Sequence, residues 1–576
     1  MSGNRYRLKS YSVYAVFLLC FAGLYARLYV LQIVNHRDLS TRGEQLHRFN
    51  VKIQPRRGTI LDREGRPLAM SVSVKSAYAV PEVIESPAET AALIGGALEI
   101  PPAEILEKLN RKSRKFVWLA RKLDGRAAER LEALGLEGVG FREEVRRVYP
   151  QGALLSHVLG FVDIDNRGLE GLERHADATL RGQAGWMASY RDRKGREIMT
   201  LRRRDVQPID GADLTLTLDV VIQHIVESEL ENGCRTFNAQ AGCIIVMNPQ
   251  TGAVLAMSSW PTYDPNRPAE YPPEARRNRC ITDVFEPGST FKVITVATAL
   301  DRGVVAIDDK FFCENGAFRV GRHTLHDVHA YGTLTTAEIV KKSSNIGAVK
   351  IAMVLGEEQL YEGIRQFGFG SPTGIGLPGE VAGILHPLST WSGLSIAAVP
   401  MGQEIGVTPL QLASAVAAIA NGGLAMKPYL VDSVRDSSGR VVKTFAPEVR
   451  GRVVREAAAK LLSEAMEGVP TREGTAPKAA LAEYTVAGKT GTSQKVEPTG
   501  RYSHSRFIGS FIGFAPSRNP EVLVLVVLDE PRPVYYGGSV AGPIFKEVAG
   551  RVLKYLGVPP DKETDGKIEV AMGRPR

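Results

Sequence analysis

The apolar positions fall into three regimes along the chain. An uncharged stretch runs from Ser10 to Ala26, is interrupted by Arg27, and continues as LYVLQIV to Val34. About 20 helical residues span the ~30 Å hydrocarbon core of a bilayer, so residues 11–33 suffice as an anchor, with Arg27 snorkelling to the far interface. From residue 34 to about 215 the pattern is mixed, with short strand-like and helix-like pieces, many Arg, and Gly and Pro punctuation. From about 216 the texture changes. GCIIVMNPQTGAVLAMSSW (242–260) reads as strand, turn, strand. Helical patterns fill much of 289–470. RFIGSFIGFAPS (506–517) and EVLVLVVLDEP (521–531) predict a second hairpin turning around Pro516–Pro520, and a helix over 541–556 follows GGSVAG. The runs IIVM and VLVLVVL are too short to cross a membrane and predict buried strands. Strands at both ends of a region, with helices between, predict one antiparallel sheet covered by helices, an α+β fold. The polar residues 558–576 are expected to form a disordered tail. No internal repeat interrupts this plan.

Composition refines the picture at few points. The 576 residues are 44% apolar and 23% charged, which excludes a disordered, collagen-like or polytopic membrane protein. A net charge of +9 suits a protein near an anionic membrane and is weak evidence for nucleic acid, which is not expected as a partner. Arg5, Arg7 and Lys9, with no acid beside them, place residues 1–10 in the cytoplasm and the rest beyond the membrane. No small-x-small cleavage site follows the apolar run, so an uncleaved anchor is expected instead of a signal peptide. Two basic clusters, 111–122 and 191–204, read as solvated faces, with attraction to a membrane or an anionic polymer as the alternative. Five cysteines without a C-x-x-C pair argue against a zinc ribbon and leave one isolated disulfide open.

EPGSTFKVITVATALDRG (286–303) carries the most chemistry. Pro287-Gly288 breaks the preceding chain, and a helix can start near Ser289 with Phe291, Ile294, Ala297 and Leu300 near one face and Gly303 as its stop. Ser289 and Lys292, three apart, share the first turn, which suits a serine nucleophile with a lysine base. Neutralising an ordinary lysine at pH 7 costs about 4–5 kcal/mol unless burial, a helix N-terminus or a second cation lowers its pKa. Lys489-Thr490-Gly491-Thr492 follows the strand pattern EYTVA. On an edge strand it supplies an ammonium and hydroxyls for a carboxylate, and Gly491 leaves room for a substrate backbone. Ser343-Ser344-Asn345 closes the helical AEIVKKSSN between the two. Ser-x-Asn occurs elsewhere, and only its order here makes it informative. His323, His326, Asp327 and His329 (HTLHDVH) fit no zinc spacing and read as a loop beside the site.

The ordered set S-x-x-K, S-x-N, K-T-G resembles the penicillin-binding protein and serine β-lactamase superfamily. RRGTILDREGRPLA (56–69) and RRVYPQGALLSHVLGFVDIDNRGLEGLE (146–173) look like the N-terminal module of class B, monofunctional penicillin-binding proteins. TGIGLPGE (373–380), MGQEIGVTPLQLASAVAAIANGG (401–423) and GGSVAGPIF (537–545) look like their transpeptidase domain. The division that follows is a cytoplasmic tail 1–10, an anchor 11–33, an elongated, dimerisation-like pedestal 34–215, a transpeptidase domain 216–557 and the tail 558–576. EPGSTFK, SSN and KTGTSQK lean towards the septal, cell-division FtsI type over the elongation type, while a sporulation role stays open.

This resemblance implies a peptidoglycan D,D-transpeptidase. Ser289 attacks the penultimate D-alanine of a stem peptide ending in D-Ala-D-Ala, and Lys292 takes its proton. Ser343 and Lys489 relay a proton to the departing amine, and Asn345 bonds Lys292 and the substrate amide. Thr490 and Thr492 hold the terminal carboxylate beside Lys489 and Gly491, and backbone N–H groups of Ser289 and Thr492 form the oxyanion hole. β-Lactams acylate Ser289, and no metal or organic cofactor is needed. An FtsW-type glycosyltransferase and other division proteins are the implied partners, with Arg27 and the basic clusters as candidate contacts. A D,D-carboxypeptidase is the alternative within the class, and a β-lactam sensor or β-lactamase the alternative outside it. A sensor needs more cytoplasmic chain than nine residues, and a β-lactamase needs a deacylation base that is not evident. A Ser-His-Asp hydrolase lacks its Gly-x-Ser-x-Gly elbow, and residues 34–215 match a non-catalytic module better than a glycosyltransferase.

Overall fold

The computed structural model describes residues 3–111, 116–190, 204–497 and 499–562. The chain forms two compact units, Met1–Arg56 with Gly182–Asp210, and Arg57–Arg181 with Gly211–Arg576.

In the first unit, helix α1 (Gly3–Tyr29) runs into a π-helical turn, Val30–Val34. Residues Arg7–Val34 have a mean hydropathy of 1.8 and bury none of it within the protein. A helix so apolar and so exposed has the length and composition to cross a bilayer. The helix His36–His47 follows, and a three-stranded antiparallel sheet orders Arg48–Ile53, Gly185–Tyr190 and Arg204–Val206. Residues 191–203 of the second basic cluster lie outside the described residues, as do 112–115 of the first. Within the first cluster the solvated reading does not hold throughout. Arg121 bonds Glu144 at 2.5 Å and Asp165 at 2.9 Å, and the Lys122 ammonium donates to Asn166 Oδ1 at 2.8 Å.

Among the described residues the larger unit holds two large sheets and four two-stranded ones. One has seven strands, in the order Val441–Thr444, Val431–Arg435, Asp213–Leu216, Ile60–Leu61, Pro67–Ala79 and Val117–Ala120, with Val139–Val148 also pairing to Pro67–Ala79. It draws strands from three distant stretches of sequence. Beneath it Arg57 and Arg147 share the fully buried Glu173 at 2.5 and 2.6 Å. A charge-assisted fork of this kind offsets the cost of burying all three groups.

The second sheet positions the chemistry. Helix α2 (Val220–Thr236) starts at Asp219, whose carboxylate caps the Val221 and Ile222 N–H groups. Strands β1 (Ala241–Met247) and β2 (Val254–Trp260) form the expected hairpin. The central helices α3 (Lys292–Arg302), α4 (Thr336–Lys342), α5 (Asn345–Leu355) and α6 (Pro409–Ala420) follow. Strands β3 (Ala487–Val496), β4 (Tyr502–Ala515) and β5 (Val522–Asp529) close an antiparallel sheet in the order β2-β1-β5-β4-β3. Period-2 alternation divides its side chains between two cores. Cys243, Ile245, Leu523 and Leu525 face the core built with α3, α5 and α6. Ile244, Val246, Val524 and Val526 face the core built with α2 and the last helix, α7 (Gly537–Tyr555). A sheet covered on both faces explains why β5 reads as an unbroken apolar run.

Two sequence expectations are corrected. The helix expected to start near Ser289 opens with a 3₁₀ turn, and α3 itself starts at Lys292; Lys292 to Leu300 are all buried, because it runs through the larger core. Helix α7 begins at Gly537, not 541. Gly537-Gly538 reads as a breaker, yet it sits there for packing, since a Cβ on Gly537 would stand 2.2 Å from Gly491 O and from Ser510 O. All five cysteines are free.

Candidate active site

Each motif reaches the site by a local backbone device. Gly288–Phe291 form a 3₁₀ turn with Gly288 at φ +56, so Ser289 lies just ahead of α3 and Lys292 is the first residue of that helix. Helix α4 opens with a capping box, Thr335 with Glu338, and stops at Ser343 in the left-handed conformation, φ 59 and ψ 38. Ser344 then caps α5, its hydroxyl accepting from Gly347 N–H at 2.9 Å. The Ser-x-Asn motif is thus a hinge between two helices, with Ser343 and Asn345 both turned toward Lys292. The Lys-Thr-Gly-Thr motif lies on β3, an edge of the second sheet.

These devices bring two lysines together. Lys292 and Lys489 are both fully buried. Lys292 Nζ donates to Ser343 O and Asn345 Oδ1, each at 2.6 Å, with Ser343 Oγ at 3.4 Å. Lys489 Nζ donates to the same Ser343 Oγ at 2.7 Å. One hydroxyl therefore bridges the two amines. Lys292 directs these bonds to Ser343 and Asn345, not to Ser289. Burial pulls the pKa of Lys292 down to about 7, against the opposing pull of the Asp327 charge. Lys489 lies well below the ordinary lysine range, through burial first and the neighbouring Lys292 second.

Ser289, Ser343, Asn345, Thr490 and Thr492 line one groove of about 1110 Å³. Thr490 Oγ1 lies 2.9 Å from Thr475 Oγ1, and Thr492 Oγ1 accepts from Gly537 N–H at 3.1 Å, leaving its own hydrogen free to donate. Gly491 departs from expectation. A Cβ there would meet Ser510 Oγ at 2.3 Å and Pro287 O at 2.9 Å. The space is filled by Ser510 and by the protein's own turn at Pro287–Thr290, so the glycine serves the approach of strand to turn. Gly402 does the same from the other side: a Cβ on it would stand 2.3 Å from Gly288 O.

The HTLHDVH segment is more than a neighbouring loop. His323–His326 pairs with Ala317–Val320 as a hairpin, and His326 and His329 line the groove. Asp327, unassigned at the sequence level, caps α5 from outside. Its carboxylate accepts from Ser344 Oγ at 2.6 Å, from Ile346 N–H at 3.2 Å, and from Asn345 N–H. His326 O accepts from the Asn345 amide at 2.8 Å. Asn345 thus turns its oxygen to Lys292 and its nitrogen to this segment. Among the described residues, no group of three or more His, Cys, Asp or Glu is arranged to hold a metal ion. Sequence reasoning also missed Thr475 and the stacked Phe507, Tyr535 and Tyr536 on the groove wall. Their only sequence signal is aromatic and hydroxyl enrichment near the motifs.

The chain is similar to known proteins along most of its length. Residues 242–550 match the penicillin binding protein transpeptidase domain and residues 52–216 the penicillin-binding protein dimerisation domain. The peptidoglycan D,D-transpeptidase FtsI of Escherichia coli is 36% identical over 557 residues, 95% of this chain and 92% of its own. Stage V sporulation protein D of Bacillus subtilis is 37% identical over 546 residues, 93% of this chain and 84% of its own. Among solved structures, a peptidoglycan synthetase from Bifidobacterium adolescentis superposes with a TM-score of 0.73 at 28% identity, covering 90% of this chain and 98% of that one. Penicillin binding protein 3 from Mycobacterium tuberculosis, complexed with aztreonam, superposes with a TM-score of 0.70 at 27% identity, covering 89% and 98%. The two domain matches in this order, and relatives at this identity along nearly the whole chain, mean that the protein belongs to the class B penicillin-binding protein family of transpeptidases.

Proposed function

We propose that the protein cross-links peptidoglycan through a Ser289 acyl-enzyme formed at D-Ala-D-Ala, and that β-lactams acylate the same serine. The observation that carries this reading is the Lys292–Ser343–Lys489 chain. A neutral amine has two N–H bonds and one lone pair. The two short acceptors of Lys292, Ser343 O and Asn345 Oδ1, take those bonds and leave the lone pair for the Ser289 proton. With its pKa near 7, Lys292 is neutral in a large fraction of molecules at physiological pH. The Ser289 alkoxide attacks the carbonyl. The oxyanion is held by the backbone N–H groups of Ser289 and Thr492, an interaction worth about 3 kcal/mol at the transition state. The proton passes through Ser343 Oγ and Lys489 to the leaving D-alanine amine, whose carboxylate is held by Thr490, Thr492 and Lys489. An acceptor-stem amine then displaces Ser289 and completes the link.

The same reading divides the chain into tail 1–10, anchor 11–33, pedestal 34–215, transpeptidase domain 216–557 and tail 558–576. The Arg7–Val34 helix supports a single membrane pass, and the basic residues before it support a cytoplasmic N-terminus. Septal synthesis with an FtsW-type glycosyltransferase follows from the motif lean towards the FtsI type. A fluorescent fusion that gathers at division sites supports it, and one spread along the sidewall or confined to spores refutes it.

The enzymatic reading is tested with the full chain in detergent and a fluorescent penicillin, followed by intact mass. A stable one-to-one adduct, lost in Ser289→Ala and strongly slowed in Lys292→Ala, is the expected result. Rapid turnover of the drug points to a β-lactamase. Release of D-alanine from a donor peptide without capture of an added amine points to a carboxypeptidase.

A further inference from the structure

Glu286 stands three residues before Ser289, outside the groove lining. The 285–288 segment runs beside residues 402–407, and the two are joined at three levels. Phe285 and Val407 exchange backbone bonds at 3.1 and 2.9 Å. Gly288 N–H donates to Gly402 O at 3.1 Å. Between them the Glu286 carboxylate, not the backbone, makes the connection: Oε1 accepts from Glu404 N–H at 2.9 Å. The Glu404 backbone is left-handed, φ 57, and its own carboxylate accepts from Ser395 Oγ at 2.7 Å. The same Glu286 Oε1 accepts from the Tyr502 hydroxyl at 3.1 Å, at the start of β4 and hydrogen-bonded across from the Lys-Thr-Gly strand. Glu286 Oε2 is buried without a partner. Glu286 is half-buried, and burial raises its pKa.

We propose that Glu286 is a positioning residue for acylation: one carboxylate oxygen fixes the Ser289 turn to the 402–407 segment and to the β3–β4 hairpin at once. Met401 and Gln403 from the first and Thr492 from the second line the groove beside Ser289. Loss of this clamp lets the nucleophile drift relative to Lys292 and the oxyanion donors without emptying the groove. The inference rests on Ser289 being the nucleophile.

The test is acylation of the full chain in detergent by a fluorescent penicillin, resolved into the dissociation constant of the initial complex and the rate constant at saturating drug. In Glu286→Ala the rate constant is expected to fall about tenfold or more while the dissociation constant stays within about threefold, since sub-ångström misplacement acts on the chemical step. Glu286→Gln keeps an accepting oxygen and is expected to restore the rate to within about threefold of wild type. An unchanged rate constant in Glu286→Ala overturns the proposal, as does equal loss in Ala and Gln variants. Should Glu286→Ala not fold, Tyr502→Phe carries the test: it removes one donor, and a rate constant equal to wild type overturns the clamp. Ser289→Ala separates the two readings, because an adduct that survives there removes the nucleophile assignment itself, whatever Glu286 does.

Discussion

Lys292 is fully buried and, among the described residues, makes no salt bridge. Because its pKa is pulled down to about 7, the rate of acylation is expected to rise with pH through that value and to fall below it as the amine charges. A stopped-flow pH profile of penicillin acylation checks this. Asp327 works against the shift, because its charge raises the Lys292 pKa. Asp327→Asn keeps an oxygen for the α5 N–H groups and removes that charge, so the midpoint of the same profile is expected to move to lower pH. Asp327→Ala removes the cap as well and is expected to cost about 1–2 kcal/mol, read from thermal unfolding. Part of this was legible in the sequence. Ser289, Ser343 and Lys489 are marked by motif order, and the lysine needs a lowered pKa if it is to be a base. Asp327 was not legible, because its role exists only once the His323–His326 hairpin folds back on α5. Glu286 was hidden for the same reason, as its partners Glu404 and Tyr502 lie more than a hundred residues away.

At the scale of elements, the site is a meeting of backbones made close by glycine. The turn at Gly288, the Gly402 segment, β3 at Gly491 and the start of α7 at Gly537 approach so closely that a Cβ at any of them stands within 3.0 Å of another residue. Gly537→Ala is expected to push α7 from β3 and slow acylation by about tenfold, without removing any side chain from the groove. Gly402→Ala adds a positive-φ cost to the clash and is expected to lower stability by about 2 kcal/mol or more, read as a lower unfolding midpoint. The pattern of strands and helices was readable, since alternation and unbroken apolar runs follow from burial on one or both sheet faces. Glycine was not, because the letters that end a helix also permit close packing. GGSVAG was read as the segment before the last helix, and it forms the start of α7.

At the scale of the molecule, one unit carries an exposed apolar helix and the other holds three buried cores. Removing about the first 39 residues is expected to release the protein from membranes while leaving penicillin acylation within about threefold, because every groove residue lies beyond residue 287. Fractionation and gel fluorescence check both parts.

The seven-stranded sheet also bears on how such proteins exchange parts. Strand Asp213–Leu216 is held between Val431–Arg435 on one side and Ile60–Leu61 on the other. A gene crossover placed at the apparent module boundary near residue 216 would therefore cut through a ladder, not a linker. Chimaeras that inherit residues 57–216 and 431–444 from one parent keep every pairing of that sheet native. Chimaeras that replace only an internal segment within 289–400, which contributes no strand to that sheet, are expected to keep it intact and to acylate with penicillin as their parents do.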